Sequence, residues 1–549
     1  MKTTPYYIYT RARKFLLLLL LSLISSLTVA QNTDLYTQSF PNPKRELRAV
    51  WITTLNGLDW PHTRANNAAT RQQQKQELCK ILDQLKALNI NTILLQTRVR
   101  GSVIYPSAIE PWDVALTGTY GRDPGYDPLQ FAIEEAHRRG MELHAWVVTI
   151  PCFKIAVARQ MGAKSVLKTH PELCRKHQDT YYLDPGLPGT ADYLQRICHE
   201  IVSRYDVDGI HFDYIRYPEG ASAFNDAATY KKYATKGQTK AAWRRENITR
   251  IVRRIYEDTH QLKPWVRVSS SPVGKYADVS RFSSRGWNAR DAVHQDAQGW
   301  LREGIHDILF PMMYFDGAHF YPFAADWQEQ CSGRYVAPGL GIYFLHPQEK
   351  NWQLNVITRQ LHYLRSEGLA GQAYFRSKFL TDNTKGIFDY LRSDFYAFPA
   401  LPPACTWLDS IAPAAPKNLQ QHTTASGQTQ LVWEATDTSP LRYNVYVSSE
   451  WPVDISRAEN LVATLLPEPH FTYDPVFAAL SHLHLAVTAV DRCGNESTAT
   501  QFSSSPEALP APKLRLNRKG HVEGLIQRPL TTAEQKKREA ERKKRKKRR

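Results

Sequence analysis

Short runs rich in Val, Ile, Trp and Tyr alternate along this chain with longer stretches in which apolar residues recur every three or four positions. The short runs are RAVWIT (48–53), NTILLQTR (91–98), ELHAWVV (142–148), VDGIHFDY (207–214), WVRVSSS (265–271), HDILFPMMY (306–314), RYVAPGLGIY (334–343) and GQAYFR (371–376). β-Branched and aromatic residues bounded by turn formers predict strands. Residues 72–88, 129–139, 190–204, 240–262 and 351–366 carry the spacing that predicts amphipathic helices. Strands alternating with helices in this number predict an α/β fold, a (β/α)8 TIM barrel over residues 42–398. An open doubly wound sheet is the competing arrangement, but no glycine-rich phosphate loop follows the first strand.

The pattern changes after the barrel. FPALPPACTWLDSIAPAAPKNL (398–419) is rich in Pro and Ala and contains the linker, taken as 399–415. TQLVWEA (429–435), RYNVYVSS (442–449), HFTYDP (470–475) and LHLAVTAVDRCGNES (483–497) then predict short strands of a β-sandwich over 416–504. Trp433, Tyr443, Tyr446 and the AVTAVDRCGNES run make this segment resemble a fibronectin type III module, with Leu485 where a corner tyrosine is usual. Residues 505–549 lack apolar periodicity and are predicted to form a disordered basic tail.

A formal charge of +17 suggests a nucleic-acid binder until it is located. The last 14 residues hold +9 and the first 14 hold +4, which leaves +4 for residues 15–535. A near-neutral body excludes specific nucleic-acid recognition as the first expectation.

At the N-terminus, Arg11, Arg13 and Lys14 precede FLLLLLLSLI, and Ala30 offers a small-residue cleavage point. This is the layout of a secretory signal peptide over residues 1–30, which predicts export to the periplasm or cell envelope, or secretion. An uncleaved anchor is the alternative, for which the apolar run is short. Seven scattered cysteines without a CxxC pair argue against both a disulfide scaffold and a zinc site, so the expectation is catalysis with no metal and no cofactor.

Active sites of barrels lie where the strands end, and alternation decides which side chains look inward. Gly209, His211 and Asp213 share one face of the fourth strand, which makes His211 and Asp213 candidates for the mouth. The same reasoning selects Arg98, His144, Trp146 and Tyr314, with Asp316 just beyond. A carboxylate flanked by aromatics suits glycosidic hydrolysis, which needs one acid to protonate the leaving oxygen and a second group as nucleophile or base. Asp213 is the expected acid or base, with Glu110 and then Asp316 as its partner. Asp184 is a further acid within reach. Trp112, Trp146, Tyr214 and Tyr217 are expected to face sugar rings and Arg216 to bind substrate with them, while an ion pair of Asp213 with Arg216 or Arg98 is the structural alternative.

ELRAVWITTLNGLDWP (46–61), the long run from ILLQTRVRG to ELHAW (93–146), RYDVDGIHFDYIRYP (204–218) and WLREGIHDILFPMMYFDG (300–317) resemble the glycosyl-hydrolase-like family ten proteins, secreted bacterial barrels. The resemblance implies a glycoside hydrolase fold and a glycan substrate, and one branch of that family acts on peptidoglycan strands at division sites. It also implies functional roles for Asp213, Arg98, Glu110, Trp112, His144 and Tyr314. This chain has Ser102 where relatives carry an acid, and Phe315 and Asp316 where a tryptophan is usual.

The expected function is therefore cleavage of glycosidic bonds in a polysaccharide, with peptidoglycan foremost. A non-hydrolytic glycan-binding protein on a barrel scaffold is the alternative. The tail is expected to tether the protein to an anionic envelope surface. Moderate salt should elute the full chain from isolated envelopes, and deletion of 536–549 should abolish that salt-sensitive retention. Retention indifferent to salt would discard the tether.

Overall fold

A computed structural model of the chain describes residues 42–282, 286–424, 428–436, 441–473, 483–503, 514–516 and 522–525. The expected signal segment and most of the basic tail lie outside these residues, but within the tail, where disorder is the expectation, Leu514–Leu516 and Val522–Leu525 pair as a two-stranded antiparallel sheet. Eight parallel strands form the first unit: β1 (Leu47–Ile52), β2 (Thr92–Arg98), β3 (Glu142–Val148), β4 (Gly209–Asp213), β5 (Arg267–Ser270), β6 (Ile308–Leu309 and Met312–Met313), β7 (Tyr335–Val336 and Gly339–Leu340) and β8 (Gly371–Tyr374). Each pairs with the next, and β8 returns to β1 with Leu47 opposite Gly371 and Val50 opposite Tyr374. The ring is closed, as the (β/α)8 reading expected.

β6 and β7 are each interrupted at a proline, Pro311 and Pro338, which has no N–H to donate. Their carbonyls still accept, from the Gly339 and Ala373 amides respectively, so the ladder continues across both breaks.

Helices follow the strands on the outside: α1 (Ala68–Ala87), α2 (Pro128–Arg138), α3 (Pro188–Arg204), α4 (Lys240–Leu262), α5 (Ala297–Arg302), α6 (Tyr321–Glu329) and α7 (Leu354–Ser366). Asn67 and Thr70 form a reciprocal capping box that starts α1 ahead of its apolar periodicity. The large core lies between strands and helices. A second, smaller core fills the ring with Leu47, Ala49, Trp51, Leu94, Trp146, Val148, Ile308, Phe310, Ala337 and Ala373. Between β3 and α3 the chain inserts a three-stranded antiparallel sheet, Pro151–Lys154, Cys174–His177 and Thr180–Leu183, on the mouth side of the ring.

The C-terminal unit has two antiparallel sheets. One contains Lys417–Thr423, Thr429–Glu434 and His470–Tyr473, and the other Leu461–Leu466, Arg442–Ser448, His484–Val490 and Thr500–Ser503. Leu431 and Trp433 from the first share a core with Tyr443, Val445, Val487 and Ala489 from the second, so the sheets pack face to face.

This unit docks under the barrel, at the N-terminal ends of the strands, through charges. Arg492 reaches Asp206 at 2.6 Å and Asp208 at 3.1 Å, while Lys44 pairs with Glu496 at 2.6 Å. Arg267 bonds Glu142 at 2.6 Å and also donates to Cys405 of the connecting segment. Glu46 is clasped by Arg48 and Arg365. Burial alone would raise these carboxyls. The cations beside Glu46, Glu142, Asp208 and Glu496 outweigh it and hold all four below the ordinary range.

A carboxyl whose folded value is depressed stabilises the fold above its unfolded value of about 4 and ceases to do so as pH falls through the folded value. Thermal melting should therefore weaken progressively between about pH 4 and pH 2, and Glu496→Gln should flatten part of that dependence. A melting temperature constant over this interval would show that these pairs contribute nothing.

Candidate active site

The floor of the mouth is Asp213, the last residue of β4 and only 6% exposed. Its backbone carbonyl accepts from the amide and hydroxyl of Thr149, which ties the end of β4 to the loop after β3. One carboxylate oxygen accepts from the Tyr214 amide at 2.8 Å and the Ser271 hydroxyl at 3.2 Å; the other accepts from the Trp146 indole N–H at 3.2 Å. Tyr214 sits at φ 52°, a left-handed conformation that costs a bulky residue about 1 kcal/mol and turns its amide back onto the carboxylate. Burial lifts the Asp213 carboxyl above its ordinary range, against the opposing pull of Arg216 and the three donors. The group is thus a carboxyl that retains its proton to higher pH than usual.

Two walls flank it. On one side Tyr314 stacks on Phe375 with ring centres 5.4 Å apart, and Tyr343 packs edge-on against both. Burial raises the Tyr314 hydroxyl well above its ordinary range, with Asp213 adding to the effect. On the other side the Arg216 guanidinium lies 4.7 Å from the Tyr214 ring centre and 5.4 Å from that of Trp287. Tyr182, from the inserted sheet, is close enough to feel Arg100, Tyr214 and Arg216.

Of the residues selected from sequence, the structure brings Asp213, Trp146, Tyr214, Arg216 and Tyr314 together. The others lie elsewhere. His211 points inward as expected but one layer lower, where it accepts from the Trp51 indole at 3.1 Å and meets the Ser269 hydroxyl at 3.0 Å. Burial, with His144 and His306 nearby, drives its pKa well below the ordinary range, so it is a neutral core residue. His144 is deeper still, fully buried, with Glu142 at 3.5 Å. A Cβ on Gly209 would stand 2.5 Å from its ring, so glycine there makes room for the imidazole.

Glu110, the first choice for a second carboxylate, faces the helix layer. Arg98 donates to both its oxygens at 2.7 and 2.6 Å, and Tyr193 of α3 donates at 2.8 Å. Arg98 also bonds the carbonyls of Val148 and Thr149, so this pair clamps the end of β3 and does not reach into the mouth. Asp184 is fully buried on Gly186, Thr229 and Arg175. Tyr217 is fully buried and accepts from Asn247 at 3.1 Å. Trp112 packs half-buried against the main core, its backbone bridged to Val103. Asp316 is exposed on the loop after β6, where it caps no helix with its side chain.

Ser271, Arg100, Tyr182, Trp287, Phe375 and Tyr343 escaped the sequence reading. Ser271 had a signal, because it continues the inward alternation of Arg267 and Ser269 past the end of β5. Phe375 likewise ends the run of β8. Trp287 lies in a stretch without periodicity and had none.

Residues 46–339 match the glycosyl hydrolase-like 10 family. The chain belongs to that family. Glycosyl hydrolase YngK from Bacillus subtilis (strain 168) is 31% identical over 400 residues, which span 68% of this chain and 76% of that protein. Glycosyl hydrolase DigH from Escherichia coli (strain K12) is 31% identical over 383 residues, 63% of this chain and 87% of that one. Membership of the glycosyl hydrolase-like 10 family makes the protein an enzyme of the glycoside hydrolase type, acting on a glycan. Asp213 and all its donors fall inside the matched segment, whereas Phe375 and Tyr343 lie beyond it.

Ser271 donates to the ionised form of Asp213, so Ser271→Ala should raise that carboxyl further, by up to about tenfold in proton affinity. Carbon NMR of carboxyl-labelled aspartate reads this directly. A titration unchanged or moved down would mean that the hydroxyl does not serve the carboxylate.

Proposed function

We propose that this protein is an exported hydrolase that cleaves glycosidic bonds in peptidoglycan glycan strands, with Asp213 as the proton donor. The observation that carries the reading is the desolvated Asp213 carboxyl, held by Trp146, Ser271 and the Tyr214 amide between two aromatic walls. Leaving-group protonation is favoured by an acid that holds its proton to higher pH than usual, and burial shifts Asp213 in that direction. Tyr314 and Phe375 offer an apolar surface for a sugar ring, and ring closure around the acid limits water. Export rests on the basic and apolar N-terminal segment, and the choice of peptidoglycan on the family resemblance.

The second catalytic group in this reading is Asp316. It follows the wall residue Tyr314 by two positions and has an exposed carboxylate, whereas Glu110 is fully engaged by Arg98 and Tyr193. The engagement of Glu110 also favours the second reading, a glycan-binding protein, because it leaves Asp213 as the buried carboxylate facing the walls.

Release of soluble glycan from purified peptidoglycan, intact and freed of stem peptides, decides between them. Asp213→Asn should lower release by about 10²–10⁴-fold. Asp316→Asn should lower it with the melting temperature unchanged, whereas Glu110→Gln should act chiefly on stability. Equal release by wild type and Asp213→Asn would clear Asp213 of the chemistry. Silence from the wild type on both substrates would overturn the hydrolase reading in favour of binding.

A further inference from the structure

Five arginines are buried among the described residues: Arg48, Arg98, Arg216, Arg244 and Arg267. Four have a carboxylate in direct contact, Glu46 at 2.8 Å, Glu110 at 2.6 Å, Asp226 at 2.8 Å and Glu142 at 2.6 Å. Arg216 is the exception. Its nearest carboxylate is Glu219 at 3.6 Å, on a side chain that is itself 68% exposed, and its Nε is buried with no hydrogen-bond partner. Asp213 does not fill the vacancy, since its oxygens are occupied by Tyr214, Ser271 and Trp146 and meet Arg216 only through the electrostatic field.

A second guanidinium stands beside it. Arg100 is half-buried, 5.8 Å from the centre of the same Tyr214 ring, and has no ion pair among the described residues. Both cations act on Tyr182 across the cleft. Trp287, 47% exposed, stacks over Arg216 and offers its open side to solvent at the lip of the site. A buried N–H without an acceptor is costly to maintain, and a planar guanidinium matches a carboxylate in shape and charge. The missing partner is therefore one that arrives with the ligand.

We propose that Arg216 and Arg100, with the rings of Tyr214 and Trp287, form a subsite for a carboxylate carried by the glycan. The inference rests on the glycan-hydrolase reading and narrows it: the sugar bound beside Asp213 carries a free carboxyl group, either on a lactyl ether or on the ring itself.

Binding to the full chain bearing Asp213→Asn tests this by calorimetry with four hexasaccharides. These are a neutral β-1,4-linked N-acetylglucosamine oligomer, its counterpart alternating with N-acetylmuramic acid, the same oligomer with its carboxyls reduced to alcohols, and an oligomer alternating N-acetylglucosamine with glucuronic acid. At least one acidic oligomer should bind about tenfold more tightly than the uncharged ones. The muramic and glucuronic arms tell a lactyl carboxylate from a ring carboxylate. Arg216→Gln should bring the acidic-to-neutral ratio to about one, and Arg216→Lys, which keeps the charge and loses the planar fork, should leave it intermediate. Arg100→Gln, at a half-exposed position that tolerates change, should lower the same ratio even if Arg216 variants fail to fold. Equal binding of all four oligomers, or a preference that survives both glutamine variants, would overturn the subsite and leave the hydrolase reading standing. Failure of every oligomer to bind, together with no release from peptidoglycan, would overturn both.

Discussion

Closure of the strand ring, with β8 hydrogen-bonded to β1, is the constraint on which the rest of the molecule depends. A closed ring has no free edge, and its strand alternation sends every second side chain into a space shut off from solvent except at the ends. Polar groups directed inward must then find one another. The Trp51 indole N–H meets His211, His211 meets Ser269, and the Ser269 hydroxyl meets the Ile210 carbonyl, so the middle layer is satisfied without water. Asp213, one alternation higher on β4, is the point at which this sealed interior opens. Its low exposure and its raised proton affinity both follow from that position.

Much of this was legible in the sequence. All eight strand positions are found, α4 runs over the residues that its periodicity marked, and the inward face of β4 is the one that alternation selected. Parity, however, fixes a side chain's direction and not its depth. His211 and Asp213 share a face yet stand about 6.6 Å apart along the strand, enough to place one in the core and the other at the mouth. α5 and α6 are too short for a three-to-four repeat to declare itself. The inserted sheet between β3 and α3 consists of four-residue runs: CRKH is polar, and TYYL, though strand-forming in composition, is too short for an alternation to declare itself.

The fate of Glu110 shows a different limit. Nothing in its local sequence distinguishes a carboxylate that enters the mouth from one that turns to the helices. The decision is made by Arg98, twelve residues earlier, whose fork fits both oxygens while its remaining nitrogen holds the end of β3. Once the ring positions Arg98 outward of the mouth, Glu110 follows it. Pairing of this kind is a property of the assembled fold and only becomes visible there.

Three buried acids of the barrel, Glu46, Glu142 and Asp213, differ in what touches them. Glu46 and Glu142 each have an arginine within 2.8 Å, and their carboxyls are held below the ordinary range, as suits groups that stay ionised within the barrel. Asp213 is met only by neutral donors, and its carboxyl stays above that range. A guanidinium in direct contact would stabilise the carboxylate and remove the proton that the proposed role of Asp213 calls for. Arg216 is near enough to moderate the acid, but its planar face is occupied by Tyr214 and Trp287. The backbone turn at Tyr214 accomplishes both parts of this arrangement: its amide anchors the carboxylate, and its ring keeps the cation to one side. That single left-handed residue lets a carboxyl of raised proton affinity and a guanidinium share one cleft without forming a direct ion pair.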